Sequence, residues 1–241
     1  STTAINLSAC LAEKGKKVLA IDMDPQGNTT SGFGVDKNGI ENTLYELLLG
    51  EAETKDTIVK DVVENLDLIP SNINLSGAEI ELVGIDDKEF ILKGITDKLR
   101  RKYDYIILDC PPSLNMLTIN ALTAATSVLV PIQCEYYALE GLSQLMSTIK
   151  QVKRLYNPVI ELEGILLTMY DRRLKLTEQV EEEVKTHFPD KVYKTIIPRN
   201  VRLSEAPSFG MPALYFDPHS RGSRAYQELT KEILKKYRNQ K

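Results

Sequence analysis

Cysteine is scarce in this chain: three in 241 residues, at Cys10, Cys110 and Cys134, too far apart for a CxxC pair or a metal-ligand spacing. They read as reduced thiols of a cytosolic protein rather than as a disulfide frame or a zinc site. No apolar run approaches the roughly 18 residues that a membrane-spanning helix needs, and no signal-peptide pattern opens the chain. Helix-turn-helix patterning, zinc-finger spacing and an RNA-binding aromatic set are missing too, so sequence-specific nucleic-acid readout is not expected. Without linkers, internal repeats or low-complexity stretches, residues 1–241 read as a single domain.

What is present is ordinary globular composition, 42% hydrophobic and 27% charged, with a net charge of −4 that hides an asymmetry. Residues 1–190 carry 19 Lys+Arg against 30 Asp+Glu, whereas residues 191–241 carry 11 against 4. A basic C-terminal segment on an acidic body suggests either a polyanion-binding surface or a solvated basic helix.

Hydrophobic patterning alternates between short apolar runs and helical spacing from end to end. Apolar runs bounded by turn residues mark strands at Val18–Asp22, Leu66–Pro70, Tyr103–Asp109, Val128–Ile132, Leu162–Met169 and Val192–Ile197. Helical spacing covers Ser1–Gly15, Thr43–Gly50, Lys55–Val63, Leu75–Val83, Lys88–Lys102, Met116–Ala125, Ala138–Tyr156, Thr177–His187 and Arg224–Arg238, with Asn200–Gly210 expected as loop. That order predicts an α/β fold, a doubly wound, mostly parallel sheet with helices on both faces.

In such sheets ligands bind beyond the carboxyl ends of the strands. Two strands end there on carboxylates, Asp22 and Asp109, and Asp24 follows two residues past the first. A helix opening on Ser1-Thr2-Thr3 ahead of these strands has the layout of a nucleotide triphosphatase just beyond its phosphate loop, where a hydroxyl residue binds Mg²⁺. Ser1 would be that hydroxyl residue; the competing role is a simple helix cap. Asp24 can hold an attacking water, Asp22 can brace the loop, and Asp109 can hold Mg²⁺ or brace the Pro-Pro turn after it.

Five segments, Asp22–Asn28, Gly77–Leu82, Asp104–Leu114, Gln133–Leu142 and Ile197–Ser208, resemble in order the ParA/Soj chromosome-partitioning ATPases of the MinD/ParA superfamily. The resemblance implies a P-loop NTPase-like fold, ATP and Mg²⁺ as ligands, and Asp24 as the residue required for hydrolysis. It also implies Ser1, Thr2, Pro198 and Asn200 at the nucleotide, with Pro198–Asn200 packing on adenine, and Ser1 and Asp109 at the metal. Arg173 and Arg202 align with positions that the family uses on DNA phosphates, and Arg172, Lys175, Arg199, Arg221 and Arg224 widen the patch. Gln133 and Glu135 would support the site from behind. The implied cycle is an ATP-bound homodimer that binds DNA non-specifically at the nucleoid in the cytoplasm and lets go when a ParB/Spo0J-like partner stimulates hydrolysis.

The departure from the family is at the front. ParA-type chains begin with a strand and a loop of the form KGGVGK[ST], and here only Ser1-Thr2 of it stands, so the chain as written is expected to lack its N-terminal strand and to be inactive as an ATPase. Two alternatives accompany this reading: a MinD-like membrane-associated ATPase, and a catalytically inactive DNA-binding or scaffold protein. The last helix offers a bilayer only Tyr237 among its final residues, so no membrane partner is expected.

Overall fold

The computed structural model describes residues 1–238. The chain opens with α1 (Thr2–Glu13), turns at Gly15 in the left-handed region (φ 73°), and enters β1 (Val18–Asp22), buried at all five positions. Short helices α2 (Asn28–Gly32), α3 (Leu44–Leu49) and α4 (Thr54–Thr57) follow. A capping box starts α3: Tyr45 N–H donates to Thr43 Oγ1 (3.2 Å) and Thr43 N–H to Glu46 Oε2 (2.7 Å). Next come β2 (Val59–Val63), β3 (Leu66–Ile69), α5 (Leu75–Glu81), α6 (Ile91–Leu99), β4 (Tyr105–Asp109) and α7 (Met116–Ala124). The chain continues through β5 (Ser127–Gln133), α8 (Ala138–Leu155), β6 (Glu161–Thr168), α9 (Lys175–His187), α10 (Val201–Glu205), α11 (Ala213–Phe216) and α12 (Arg221–Arg238).

The expected α/β architecture is present, with its sheet in two pieces. One has the order β2-β3-β1-β4, with β1 parallel to both β3 and β4 and β2 antiparallel at the edge; the other is the parallel pair β5-β6. β4 and β5 face each other without pairing, so each leaves one ladder edge unused. Between them lies a cavity of about 1680 Å³, walled by both strands and by α1, α7 and α12. The consequence is visible in burial: β1 is fully buried, while β4 is half-buried at four of its five residues.

Three sequence expectations are corrected. Lys55–Val63 is not one helix; α4 ends at Thr57 and β2 pairs with β3 (Val59↔Leu68, Val63↔Leu66). Three valines suit a strand, and Asp67 anchors the hairpin by accepting from Asp61 N–H (2.9 Å) and Lys60 Nζ (2.5 Å). Val192–Ile197 is not a continuous strand: it meets β6 at its two ends, through the Ile165↔Val192 bridge and through Ile197 N–H donating to the Leu167 carbonyl (2.9 Å), while Tyr170↔Pro198 bridges the residues just beyond both segments. Glu232 draws the intervening backbone off the ladder, accepting from Lys194 N–H (2.9 Å) and Thr195 N–H (3.0 Å). Asn200–Gly210, expected as loop, is α10 followed by a 3₁₀ turn over Ala206–Phe209 that closes on Gly210 in the left-handed region.

The apolar stripe of α12, Tyr226, Leu229 and Ile233, is buried with α1 in one core. Glu163 on β6 secures the helix end, accepting from Lys236 Nζ (2.6 Å) and Tyr237 Oη (2.6 Å). Burial alone would raise the Glu163 carboxyl, but these hydrogen bonds outweigh it and hold it below the usual carboxylate range. Such a group stabilises the fold above its ordinary pKa and loses that contribution as the pH falls through its lowered one. Glu163→Gln is therefore expected to cost about 1–2 kcal/mol at pH 7 in denaturant unfolding, with the difference from wild type shrinking below about pH 4.

Candidate functional site

β1 and β4 pair so that Asp22 stands directly opposite Asp109 at the strand ends. Both carboxylates are buried, and two adjacent threonines at the start of α2 serve them separately. Thr30 donates its N–H and its hydroxyl to Asp22 Oδ2, each at 2.7 Å, while Asp24 N–H reaches Asp22 Oδ1 at 3.2 Å. Thr29 Oγ1 donates to Asp109 Oδ2 at 2.6 Å. Burial pushes the Asp22 carboxyl up to about 6, with the Asp109 charge adding to it and the Thr30 bonds opposing it.

The loop carrying Asp24 is held from three sides. Gly27 takes φ 62° ahead of α2, and a Cβ there would stand 2.8 Å from the Ser71 carbonyl oxygen, so only glycine fits. Ser71, just beyond β3, donates its N–H to Thr30 Oγ1 (2.9 Å) and its hydroxyl to the Asp24 carbonyl (2.9 Å). The Asp24 carboxylate itself accepts only from Gln26 N–H (2.9 Å) and remains partly exposed. Asp22 thus holds backbone, and Asp24 faces outward.

Ser1 sits at the N-cap of α1, yet its hydroxyl makes no capping hydrogen bond. Its amino group lies 3.1 Å from Asp109 Oδ1, the oxygen that Thr29 leaves free. The first turn of α1 contains no acidic residue of its own, so the carboxylate that meets its positive end is Asp109, from another strand. Asn6 fixes that turn, donating Nδ2 to the Thr2 carbonyl (2.8 Å) and accepting Ala213 N–H at Oδ1 (2.9 Å). Ser1, Thr2, Asp109, Gln133 and Pro198 all line the cavity between β4 and β5.

Asp24 and Asn200 stand outside that cavity lining. Asn200 packs against Gly222 at the start of α12, where its Oδ1 is buried without a hydrogen-bond partner. Glu135 is exposed beyond the end of β5. Among the described residues no group of three or more His, Cys, Asp or Glu side chains could cage a metal. A cation here would meet Asp109, the Ser1 hydroxyl and oxygens of its ligand, the sparse oxygen set that suits Mg²⁺.

The Tyr170↔Pro198 bridge sets the Arg173 segment beside the segment leading to Arg202. Both guanidinium groups already hold carboxylates. Arg173 donates from Nε and Nη2 to Asp171 (2.9 and 2.6 Å) while exposing 87% of its side chain, and it holds the Asp171 carboxyl well below the usual range. Arg202 pairs with Glu205 (2.8 Å) and Asp217 (3.3 Å) and lies over the Phe216 ring.

Residue-type reasoning missed Thr29, Thr30 and Ser71. The available signal was a pair of hydroxyls immediately after the Gly27-Asn28 turn, which local pattern alone does not distinguish from polar loop.

Residues 1–162 match the AAA domain family. The chain is 56% identical over 233 residues to the sporulation initiation inhibitor protein Soj of Bacillus subtilis (strain 168), covering 97% of this chain and 92% of that protein. It is 50% identical over 241 residues to the chromosome partitioning protein ParA of Caulobacter vibrioides, covering 99% and 90% respectively. The chain belongs to the ParA/Soj family of chromosome-partitioning ATPases. Among solved structures it is similar to cobyrinic acid a,c-diamide synthase from Mycobacterium smegmatis, crystallised with an ATP analogue and magnesium (TM-score 0.85, 35% identity, 100% of this chain and 91% of that one).

A carboxyl raised by burial binds an extra proton in the folded state, so its contribution to stability falls as the pH rises from its ordinary value towards about 6. Asp22→Asn removes that titration. In urea unfolding, the stability advantage of wild type over Asp22→Asn is expected to narrow by about 2 kcal/mol between pH 4.5 and 6.5; a gap that widens over this range contradicts the assignment.

Proposed function

We propose that this chain is the nucleotide-handling body of a DNA-partitioning switch, in which an ATP-bound homodimer holds DNA and hydrolysis releases it. The observation that carries the reading is the meeting of three features at one place. The acid-free N-terminus of α1, the uncapped Ser1 hydroxyl and the Asp109 carboxylate converge at the strand ends, with Asp24 on the adjoining loop. A helix N-terminus offers N–H groups to phosphate oxygens, which fits the Ser1-Thr2 turn to a triphosphate. Mg²⁺, held by Asp109 and the Ser1 hydroxyl, would supply neutralisation of charge on the transferring phosphoryl group. The Asp24 carboxylate, fixed through its backbone by Asp22 and Ser71, orients the attacking water. Pro198 covers one wall of the site, and Asn200, two residues on, would have to turn its buried amide out of its packing against Gly222 to meet a base edge.

The cavity between β4 and β5 supports a further element of this proposal. Two parallel strands with unused facing edges form a seat for one more strand, and α1 begins at the mouth of that seat. A strand pairing with both edges would close the two pieces into one sheet. The single-domain reading of residues 1–241 belongs with this proposal.

Dimerisation is supported by the distribution of exposed apolar side chains. Ile73, Leu114, Tyr136 and Tyr137 are exposed on the segments that follow the carboxyl ends of β3, β4 and β5. A second copy closing over that face would cover them. DNA binding is supported by the juxtaposed Arg173 and Arg202 segments. Their carboxylate partners form exposed ion pairs of small net worth, so exchanging them for DNA phosphates costs little. Such contacts carry no base sequence and weaken with salt. A ParB-like activator and a place at the nucleoid complete the reading. The buried stripe of α12 favours DNA over a bilayer as the surface bound. No helix among the described residues is long and apolar enough to cross a membrane.

In the full-length protein, Asp24→Ala is expected to lower ATP turnover at least about 100-fold while the ATP-bound form stays on DNA in a retention assay. Arg173→Ala and Arg202→Ala should each weaken retention on DNA of any sequence and reduce the salt slope by about 1, leaving basal turnover in place. Rapid release of Asp24→Ala in ATP, or unchanged DNA retention in the double arginine variant, contradicts the switch.

A further inference from the structure

Resting on the nucleotide reading above, we infer that Thr29 is the positioning residue for the divalent cation, setting which oxygen of Asp109 faces it. Thr29 is fully buried on the first turn of α2, and its hydroxyl crosses 80 positions of sequence to reach Asp109 Oδ2 at 2.6 Å. A buried threonine hydroxyl in a helix ordinarily satisfies itself on a nearby backbone carbonyl, as Thr230 does on Tyr226 (2.8 Å). Thr29 donates to the carboxylate instead.

The Asp109 main chain is fixed as well, since its carbonyl accepts from Met23 N–H at 2.8 Å. With the backbone pinned and Oδ2 taken by Thr29, Oδ1 is the oxygen turned toward the start of α1, 3.1 Å from the Ser1 nitrogen. The hydroxyl also keeps the negative charge of Asp109 satisfied beside Asp22, which stands opposite in the ladder and has its own donor in Thr30. Loss of the Thr29 hydroxyl frees the carboxylate to rotate and leaves a buried oxygen without a donor.

The placement also links two parts of the site. Thr29 lies five residues after Asp24, beyond the left-handed Gly27 that starts α2. The carboxylate of one strand is therefore tied to the loop that carries Asp24 on the other, and the Asp109 side chain cannot reorient without disturbing the start of α2.

The test is a Mg²⁺ titration of the full-length protein at saturating ADP, read as the rise in unfolding temperature. It compares wild type with Thr29→Val, which keeps the shape without the hydroxyl, and Thr29→Ser, which keeps the hydroxyl. Outer groups that orient metal ligands typically set affinity by about 10–100-fold. The Mg²⁺ midpoint is expected to rise by that factor in Thr29→Val and to return within about threefold of wild type in Thr29→Ser. Stabilisation by ADP in EDTA should stay within about twofold in all three. Thr29→Ala, which leaves room for a water, gives the same direction and a second substitution should the valine fold poorly. An unchanged Mg²⁺ midpoint in Thr29→Val overturns the inference, and so does a serine variant as impaired as the valine one, since the methyl packing would then be what matters. Wild type showing no Mg²⁺-dependent stabilisation with ADP would instead remove the nucleotide reading on which it rests.

Discussion

Two like charges placed in register at the ends of adjacent buried strands are the constraint on which this face of the molecule depends. Asp22 and Asp109 cannot both be kept there without separate donors, and among the described residues no Lys, Arg or His side chain donates to either of them. Hydroxyl and backbone donors do the work instead. Thr29 and Thr30, adjacent in sequence, turn to different strands, which obliges α2 to begin where it does and Gly27 to take a left-handed turn ahead of it. Ser71 extends the same network to the strand on the other side. The loop bearing Asp24 is thereby shaped from beneath, while its own carboxylate is left unengaged by the network.

The same division of labour runs through the frame. β1 supplies a fully buried spine, whereas β4 and β5 bound an open slot whose mouth is the N-terminus of α1. α1 is fixed near its start: Asn6 ties its first turn to Ala213, and Tyr226 of α12 bonds Thr3 at 3.0 Å. The segment carrying Arg202 packs on α11 and α12, which in turn pack on the helix that opens onto the strand-end site. The proposed nucleotide and polyanion surfaces are joined through packed elements rather than through a linker.

Much of the fold was legible because buried parallel strands leave a strong mark. Val18–Asp22 reads as strand from its apolar run alone, and its terminal carboxylate locates the site end of the sheet. β2 was misread because an isolated VKDVV fits helix or strand; its identity comes from a hairpin partner and from Asp67, which no local pattern shows. The last strand was over-read for the opposite reason. Its residues suit a strand, but a distant carboxylate, Glu232, competes for its N–H groups. At the site, Asp22, Asp24 and Asp109 were visible as strand-end carboxylates, whereas Thr29, Thr30 and Ser71 were hidden because hydroxyl residues after a glycine turn look like any loop. The ion pairs of Arg173 and Arg202 were also invisible, being products of which loops the sheet sets side by side.

If the strand-end carboxylates and the start of α1 form one Mg²⁺-nucleotide site, a crystal structure of the full-length protein with ADP and Mg²⁺ will show it. Phosphates are expected against the first turn of α1, the metal between the Ser1 hydroxyl and the Asp109 side, and Asp24 clear of the metal and facing the phosphate end. A nucleotide bound elsewhere on the chain, or a metal held by Asp24 with Asp109 turned away, would contradict it.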